Sequence, residues 1–231
     1  MKARTIERHA MTADPTTGSP LRTLLGERIA EHDKPGAVAA ALDAVRADEI
    51  GITDLYAMLS GLMVDLGLSW QEGLTSVWEE HLASSVARTI VEALYPTVRE
   101  HADAAPRRGL TAVLACPQDE PHDLGLRMLC DRFDLAGWDT HLLGADTPTG
   151  EIAAAAETLA ADLVVLSAST HFHRVRIRAL LDDLHSALPG VRVVVGGAAF
   201  SHDCCGLDDE EVLRPDEFFD PAGVDADRSE S

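Results

Sequence analysis

The feature that most constrains the fold is an alternation of short apolar runs and helical patterns in the second half of the chain. The apolar runs cover residues 110–116, 139–143, 163–166 and 191–195. Helical periodicity fills the stretches 124–135, 151–160 and 175–188. Strands that alternate with helices predict a parallel sheet with helices on both faces. We therefore predict an α/β domain over residues 110–205.

The first half of the chain carries helical periodicity instead. The patterns cover residues 20–30, 36–47 and 52–66, followed by a stretch that opens near residue 70. Gly67 is a terminator for the third helix, and Ser69-Trp70-Gln71-Glu72 has the form of a capping box that opens the fourth, which should end before Pro96. This predicts a four-helix bundle over residues 21–100.

Three polar segments flank the two predicted domains. Residues 1–20 should form a disordered arm, and the short proline-bearing stretch 101–109 should be a linker. Residues 206–231 are acidic and are expected to be a solubilising tail.

The charge of the chain excludes some partners. The formal net charge is -20, and the few basic residues are dispersed, so the basic surface of a nucleic-acid binder is missing. No apolar run approaches the length of a membrane span, and residues 1–20 lack the apolar core of a secretory signal. We expect a cytoplasmic protein that does not bind nucleic acid directly.

The loop after the first predicted strand holds Glu120, His122, Asp123 and Gly125. Parallel sheets bind ligands beyond the carboxyl ends of their strands, so this loop is a candidate site. A neutral imidazole is a good metal ligand, and a nearby carboxylate, here Glu120 or alternatively Asp119, can hold its other ring nitrogen. Gly125 would let a ligand approach the backbone at the helix start.

Two further elements accompany this loop in the expected order. Glu120-x-His122-x-x-Gly125 is followed by Ser167 after the third strand and by Gly196-Gly197 after the fourth. Together they resemble the D-x-H-x-x-G, S-x-L, G-G signature of cobalamin-binding domains of the methionine synthase type. The sequence departs from that signature at Glu120 and at Ser169, where aspartate and leucine are usual.

The resemblance implies a Rossmann-like, flavodoxin-like cobalamin-binding domain. It implies that His122 is the lower axial ligand of cobalt, with Glu120 and Asp123 beside it. It also implies that the displaced nucleotide tail of the cofactor enters a channel in the domain, lined by Gly125, Ser167, Ser169, Gly196 and Gly197.

A second informative segment, W-x9-E-H, runs from Trp70 to His81. On one continuous helix, Trp70, Val77 and His81 fall within about 40° of one another at 100° per residue, with Glu80 beside them. A core stripe would explain Trp70 and Val77. It explains Glu80 and His81 less well, because a buried carboxylate and imidazole need partners.

Followed by a cobalamin domain, this segment resembles the helical cap of CarH-type light receptors, which use adenosylcobalamin. The resemblance implies that Trp70 and Val77 cover the upper face of the cofactor and that Glu80 and His81 contact the adenosyl group or the corrin. Those repressors begin with a MerR-type DNA-binding domain, which we do not expect here, since nothing before Thr23 could encode it. Gln71 replaces a histidine of that family, so a stable bis-histidine photoproduct is not expected.

Three functions are compatible with these residues. The first is a light-responsive sensor that is not an enzyme and that signals, after loss of the adenosyl group, through self-association or a protein partner such as a basic transcription factor. The second is a corrinoid methyl carrier that uses methylcobalamin and serves a methyltransferase. The third is the cofactor subunit of an adenosylcobalamin mutase. W-x9-E-H favours the first, since a methyl carrier has no adenosyl group to accommodate.

Overall fold

A computed structural model of the chain describes residues 18–169, 171–200, 207 and 211–213. Residues 1–17 of the predicted arm and most of the predicted acidic tail lie outside these ranges. The chain divides into two compact units, a helical unit that ends at Leu94 and an α/β unit that begins at Tyr95.

Four helices account for the first part of the chain, as predicted. They are α1 (Pro20–Ala30), α2 (Lys34–Arg46), α3 (Ile52–Gln71) and α4 (Val77–Ala104). Side chains cap the first two: the Ser19 hydroxyl accepts from the amide of Arg22, and Asp33 accepts from the amide of Gly36. Fully buried side chains form the core of the helical unit, among them Leu25, Leu55, Tyr56, Met58 and Leu59.

The junction between α3 and α4 differs from the prediction. Helix α3 runs through Gly67 and ends in a Schellman motif, in which the amide of Gly73 (φ 73°) bonds to the Trp70 carbonyl and the amide of Leu74 to the Ser69 carbonyl. Ser69 therefore lies at a helix end, and the predicted capping box at Ser69–Glu72 is wrong.

The next helix is opened by a second S-x-x-E sequence, seven residues on. The Ser76 amide and hydroxyl both donate to Oε2 of Glu79, at 2.8 and 2.5 Å. The bond from the Ser76 amide to the side chain of the glutamate three residues later is one of the two bonds of a capping box. These hydrogen bonds lower the pKa of the Glu79 carboxyl. Consequently, W-x9-E-H does not lie on one helix: Trp70 belongs to α3, and Val77, Glu80 and His81 belong to α4.

Helix α4 also continues past Pro96, where it was expected to end. Proline removes one amide donor from a helix, but buried side chains beyond it can keep the chain helical. Val98 and Ala102 are fully buried. Arg99 pairs with Asp134 of the helix Leu124–Leu135 at 3.4 Å, within the α/β unit. The predicted linker 101–109 is thus helical as far as Ala104.

Helix α3 is long and apolar enough, by length and composition, to cross a membrane, contrary to the sequence expectation. This is weak evidence for a membrane protein, because a core helix of a helical bundle meets the same criteria. The first turns of α3 supply buried side chains to the core, including Ile52, Leu55 and Leu59.

The α/β unit confirms the predicted parallel sheet. Its strands are β1 (Thr111–Pro117), β2 (Asp139–Thr147), β3 (Leu163–Ser167) and β4 (Arg192–Gly196). Its helices are α5 (Leu124–Leu135), α6 (Thr149–Thr158) and α7 (His171–Ala187), followed by a 3₁₀ turn at Ala198–Phe200. The described strands pair in parallel in the order β2-β1-β3-β4. This order is the flavodoxin-like one.

Alternate residues of the strands supply two separate cores, because side chains of a strand point to opposite faces of the sheet. Val113, Val164 and Val195 face one core, which includes residues of α6 and α7. Leu114 and Val165 face the other, which includes residues of α5. Both faces of the sheet are thereby covered, as the apolar runs predicted.

Two features of this topology matter for function. The chain reverses its direction across the sheet between β1 and β3, and ligands of such folds bind beyond the carboxyl ends of the strands at this switch point. In addition, Val212 pairs in parallel with Val195 of β4. Residues 211–213 thus occupy the place of a fifth strand, within the predicted acidic tail.

Candidate functional site

The core of the candidate site is a carboxylate and imidazole pair after β1. The Glu120 side chain is fully buried, whereas 61% of the His122 side chain is exposed. Nδ1 of His122 lies 2.5 Å from Oε1 of Glu120, and the His122 amide donates to the same oxygen at 3.1 Å. The ring therefore has one nitrogen fixed by a buried group while most of its surface remains accessible.

The hydrogen bonds to Glu120 determine which ring nitrogen carries the proton. Burial alone would raise the pKa of Glu120, but donation from the Ser169 amide, the His122 ring and the His122 amide lowers it below its ordinary value of 4.5. Glu120 is therefore ionised near neutral pH and can only accept. Nδ1 of a neutral His122 is then the protonated nitrogen, and Nε2 keeps its lone pair for a metal.

Glu120 also joins the two strands that flank the switch point. Its Oε2 accepts the amide of Ser169, which follows β3, at 2.7 Å. One carboxylate thus holds a histidine after β1 with one oxygen and the loop after β3 with the other. The sequence placed Ser169 in the wall of a channel and gave no sign that its backbone would bind Glu120.

Two further buried residues, Cys116 and Asp123, lie at the two ends of the loop that carries His122. The Cys116 thiol donates to the His122 carbonyl at 3.6 Å. Burial, with the negative charges of Glu120 and Asp123, raises the pKa of this thiol to about 12, so it remains a donor. Asp123 is buried at the start of α5, with a carboxylate oxygen beside Gly144 of β2. The structure thus places Asp123 within the fold, beside β2.

The three predicted glycines differ in whether the packing of the protein itself excludes a larger side chain at that position. A Cβ on Gly197 (φ 100°) would lie 2.5 Å from the Ala168 carbonyl oxygen, so backbone packing alone demands glycine there. A Cβ on Gly196 would make ordinary contact with Leu213. A Cβ on Gly125 would meet no neighbouring atom within 4 Å. Open space at Gly125 is what a ligand close to the backbone would need.

Ser167 lies where the prediction put it, at the carboxyl end of β3. It is half-buried and pairs in register with Gly196 of β4. Most of the predicted residues therefore belong to loops or strand ends along one edge of the sheet, and Gly125 lies in the first turn of α5 at the same edge. The residues in loops or at strand ends are Glu120, His122, Ser167, Ser169 and Gly196.

The remaining predicted residues belong to α3 and α4 of the helical unit. Trp70 is 48% exposed and Val77 is 54% exposed. Oε1 of Glu80 accepts the Ser84 hydroxyl at 2.7 Å, and Oε2 lies 3.5 Å from Nε2 of His81. These partners satisfy Glu80, while the His81 side chain is 74% exposed.

Other large apolar side chains near Trp70 are exposed as well. The exposed apolar residues between positions 64 and 78 are Val64, Leu68, Trp70, Leu74, Val77 and Trp78. Exposed large apolar side chains are candidates for contact with a ligand or a partner. A core stripe, the alternative explanation of Trp70 and Val77, is contradicted by their exposure.

Two families of known proteins match the chain. Residues 110–212 match the B12 binding domain, and residues 21–95 match a second family with the same description, B12 binding domain. Together the two matches cover most of both units.

Two curated relatives are transcriptional repressors of Myxococcus xanthus. The HTH-type transcriptional repressor CarH is 33% identical over 170 residues, which are 73% of this chain and 54% of the relative. The HTH-type transcriptional repressor CarA is 33% identical over 150 residues, which are 63% of this chain and 49% of the relative. The chain spans about half the length of these curated relatives.

Among solved structures, the monomethylamine corrinoid protein of Methanosarcina barkeri has the same fold. The TM-score is 0.68 at 19% sequence identity, over 80% of this chain and 88% of that one. At this identity the likeness concerns the fold alone.

Proposed function

Because residues 21–95 and residues 110–212 each match a B12 binding domain family, we propose that the chain is an adenosylcobalamin-dependent light sensor with His122 as the lower cobalt ligand. The observation that carries the proposal is the Glu120–His122 pair, in which a buried, ionised carboxylate fixes Nδ1 and leaves Nε2 with its lone pair on an exposed ring.

The residues of the α/β unit fit a corrinoid. His122 would supply one neutral nitrogen donor, which suits a cobalt ion whose equatorial ligands come from the corrin itself. Gly125 leaves open space at the start of α5, beside the carboxyl ends of β1 and β3. Ser167 would offer a hydroxyl to the cofactor's nucleotide tail.

The residues of the helical unit support the adenosyl form. Bound adenosylcobalamin would supply a cobalt–carbon bond that visible light breaks. Trp70 and Val77 would cover the adenosyl group with apolar surface that is otherwise exposed. Glu80 is held by Ser84, which would orient its carboxylate toward hydroxyl or amino groups of the ligand. His81 would contact the corrin or the adenosyl group.

A sensor must convert the presence or absence of the adenosyl group against Trp70 and Val77 into a change in how the protein binds itself or a partner. Apolar residues that lose their ligand become available for another contact, which favours a change in self-association or in partner binding. The net charge of -20 favours a basic partner, such as a transcription factor, in the cytoplasm. The similarity to two repressors supports a role in transcription regulation.

A corrinoid methyl carrier is the alternative, and its supporting observation is the fold shared with the monomethylamine corrinoid protein. A methyl carrier needs an upper face that a methyltransferase can reach. The two functions therefore differ in what Trp70, Val77, Glu80 and His81 do.

The test is to load the full chain with adenosylcobalamin in darkness and to record its absorption spectrum and hydrodynamic size before and after illumination. We expect both to change, and the cobalt(II) form of ¹⁵N-histidine-labelled protein to show nitrogen hyperfine coupling that is lost in His122→Ala. An unchanged spectrum and an unchanged size after illumination would together contradict the sensor. Preference for methylcobalamin, with methyl transfer to a thiol, would establish the carrier instead.

A further inference from the structure

Two aspartates with left-handed backbone conformations lie beside the loop that carries His122. Asp119 has φ 69° and follows β1, and Asp146 has φ 52° near the end of β2. Residues other than glycine seldom adopt such values, although aspartate and asparagine do so more readily than most. Local strain of this kind tends to occur at functional sites and persists where its surroundings hold it.

Hydrogen bonds join the two aspartates around a tight turn. The Asp119 amide donates to Oδ1 of Asp146 at 2.8 Å, and the Asp146 amide donates to the Glu120 carbonyl at 3.0 Å. The Glu120 amide closes the turn on the Pro117 carbonyl at 3.0 Å. A turn with this bond and a positive φ at its third residue is of type II. Asp146 therefore holds the turn through both its side chain and its backbone.

This turn positions the backbone of Glu120, and the Glu120 carboxylate in turn orients the His122 ring through its contact with Nδ1. We propose that Asp146 is a positioning residue for His122, acting by clamping the Asp119–Glu120 turn against the end of β2. Arg176 also approaches Asp119, at 3.6 Å, but both side chains are largely exposed, and such pairs contribute little. The proposal rests on the proposed function in so far as His122 is the cobalt ligand.

Three substitutions separate the two contributions of Asp146. Asp146→Asn keeps a side-chain oxygen acceptor and tolerates a positive φ. Asp146→Gly keeps the backbone conformation and loses the acceptor, and Asp146→Ala loses both. Asp48→Ala is the matched control, because Asp48 also has a positive φ (54°) but lies in the turn after α2 in the helical unit.

The first measurement needs no cofactor. Hydrogen exchange of the Asp119 amide should lose protection in Asp146→Gly and Asp146→Ala, and should match the wild type in Asp146→Asn and Asp48→Ala. The ¹⁵N signals of the His122 ring should show the Nδ1-protonated form in the wild type and a mixture of tautomers in Asp146→Gly. Retained protection together with an unchanged ring in Asp146→Gly would overturn the clamp.

The second measurement uses cobinamide, a corrinoid without a base of its own, titrated by absorbance. The affinity of His122 for the cobalt of cobinamide should fall roughly tenfold in Asp146→Gly, which is the lower end of the effect of removing a group that orients a metal ligand. It should fall further in Asp146→Ala. Asp146→Asn should ligate like the wild type. Wild-type ligation in Asp146→Gly would overturn the positioning role while leaving the proposed function intact. Absence of ligation in the wild type would instead overturn the proposed function, and the ring tautomers would then decide the role of Asp146.

Discussion

The candidate residues of the two units are held in very different ways. In the α/β unit, Glu120 is fully buried and accepts hydrogen bonds from His122 and Ser169 at 2.5 to 3.1 Å. In the helical unit, Trp70 and Val77 are about half exposed, and the Glu80 carboxylate contacts Ser84 and His81 of its own helix. A preorganised site supplies affinity because its ordering is complete before binding, whereas exposed side chains must be ordered by the ligand. We therefore infer that the α/β unit determines affinity for cobalamin and that the helical unit selects among upper ligands.

The largest expected effect is that of His122→Ala. Loss of the proposed cobalt ligand should weaken the binding of adenosyl-, methyl- and hydroxocobalamin alike, by more than the roughly hundredfold upper limit for removing a group that only orients a ligand. Absorbance titration measures all three. His141→Ala is the matched control, since His141 lies half-exposed on β2 and pairs only weakly with Asp139, at 3.8 Å. If His122→Ala weakened the binding of one cobalamin and not the others, the α/β unit would not determine the affinity for cobalamin.

Glu120→Ala should follow, with a loss of roughly tenfold to a hundredfold for every cobalamin, because it releases Nδ1 of His122. The same titrations measure it. The substitution also frees the Ser169 amide, so circular dichroism must first show that the variant is folded. If a folded variant bound cobalamin as the wild type does, then the hydrogen bond from His122 would be irrelevant to ligation.

The pH dependence of stability isolates the charge of Glu120. Its pKa in the folded protein lies below the ordinary value of 4.5, so the ionised form is stabilised by folding. This stabilisation is complete above about pH 4.5 and is lost as the pH falls through the lowered pKa. In urea unfolding of the cofactor-free chain, Glu120→Gln should be less stable than the wild type at pH 7 by about 1–3 kcal/mol, and the gap should close in acid. A constant gap would mean that packing, and not charge, is responsible.

The two units also differ in how well the sequence predicted them. The strands and helices of the α/β unit were predicted to within four residues at each end, because buried parallel strands give continuous apolar runs that are easily separated from helices. Helix α5 begins and ends where expected, at Leu124 and Leu135. Hydrogen bonds across the sheet edge were not predictable, because the Ser169 amide and the Asp146 carboxylate reach their partners only through the strand order.

In the helical unit the error arose from two equivalent signals. Ser69–Glu72 and Ser76–Glu79 are both S-x-x-E sequences, and helical periodicity does not distinguish between them. Gly73 was the signal that could have done so, because a glycine just after a helix favours the left-handed residue of a Schellman motif. Placing the turn at Gly73 would have put Trp70 at the end of one helix and Val77 at the start of the next.

The smallest expected effect, and the one that tests the role of the helical unit most directly, is that of Trp70→Ala. A lost aromatic contact is worth about 0.5–1.5 kcal/mol, so binding of adenosylcobalamin should weaken by roughly twofold to thirteenfold. Binding of hydroxocobalamin, which has no adenosyl group, should not change. Trp78→Ala is the matched control, because Trp78 is similarly exposed but its ring packs 5.3 Å from that of His32. Because Trp70 is about half exposed in the absence of cofactor, its removal should leave the stability of the free chain within about 0.5 kcal/mol. Equal losses for both cobalamins would show that Trp70 contributes general affinity, and the division of labour between the two units would then fail.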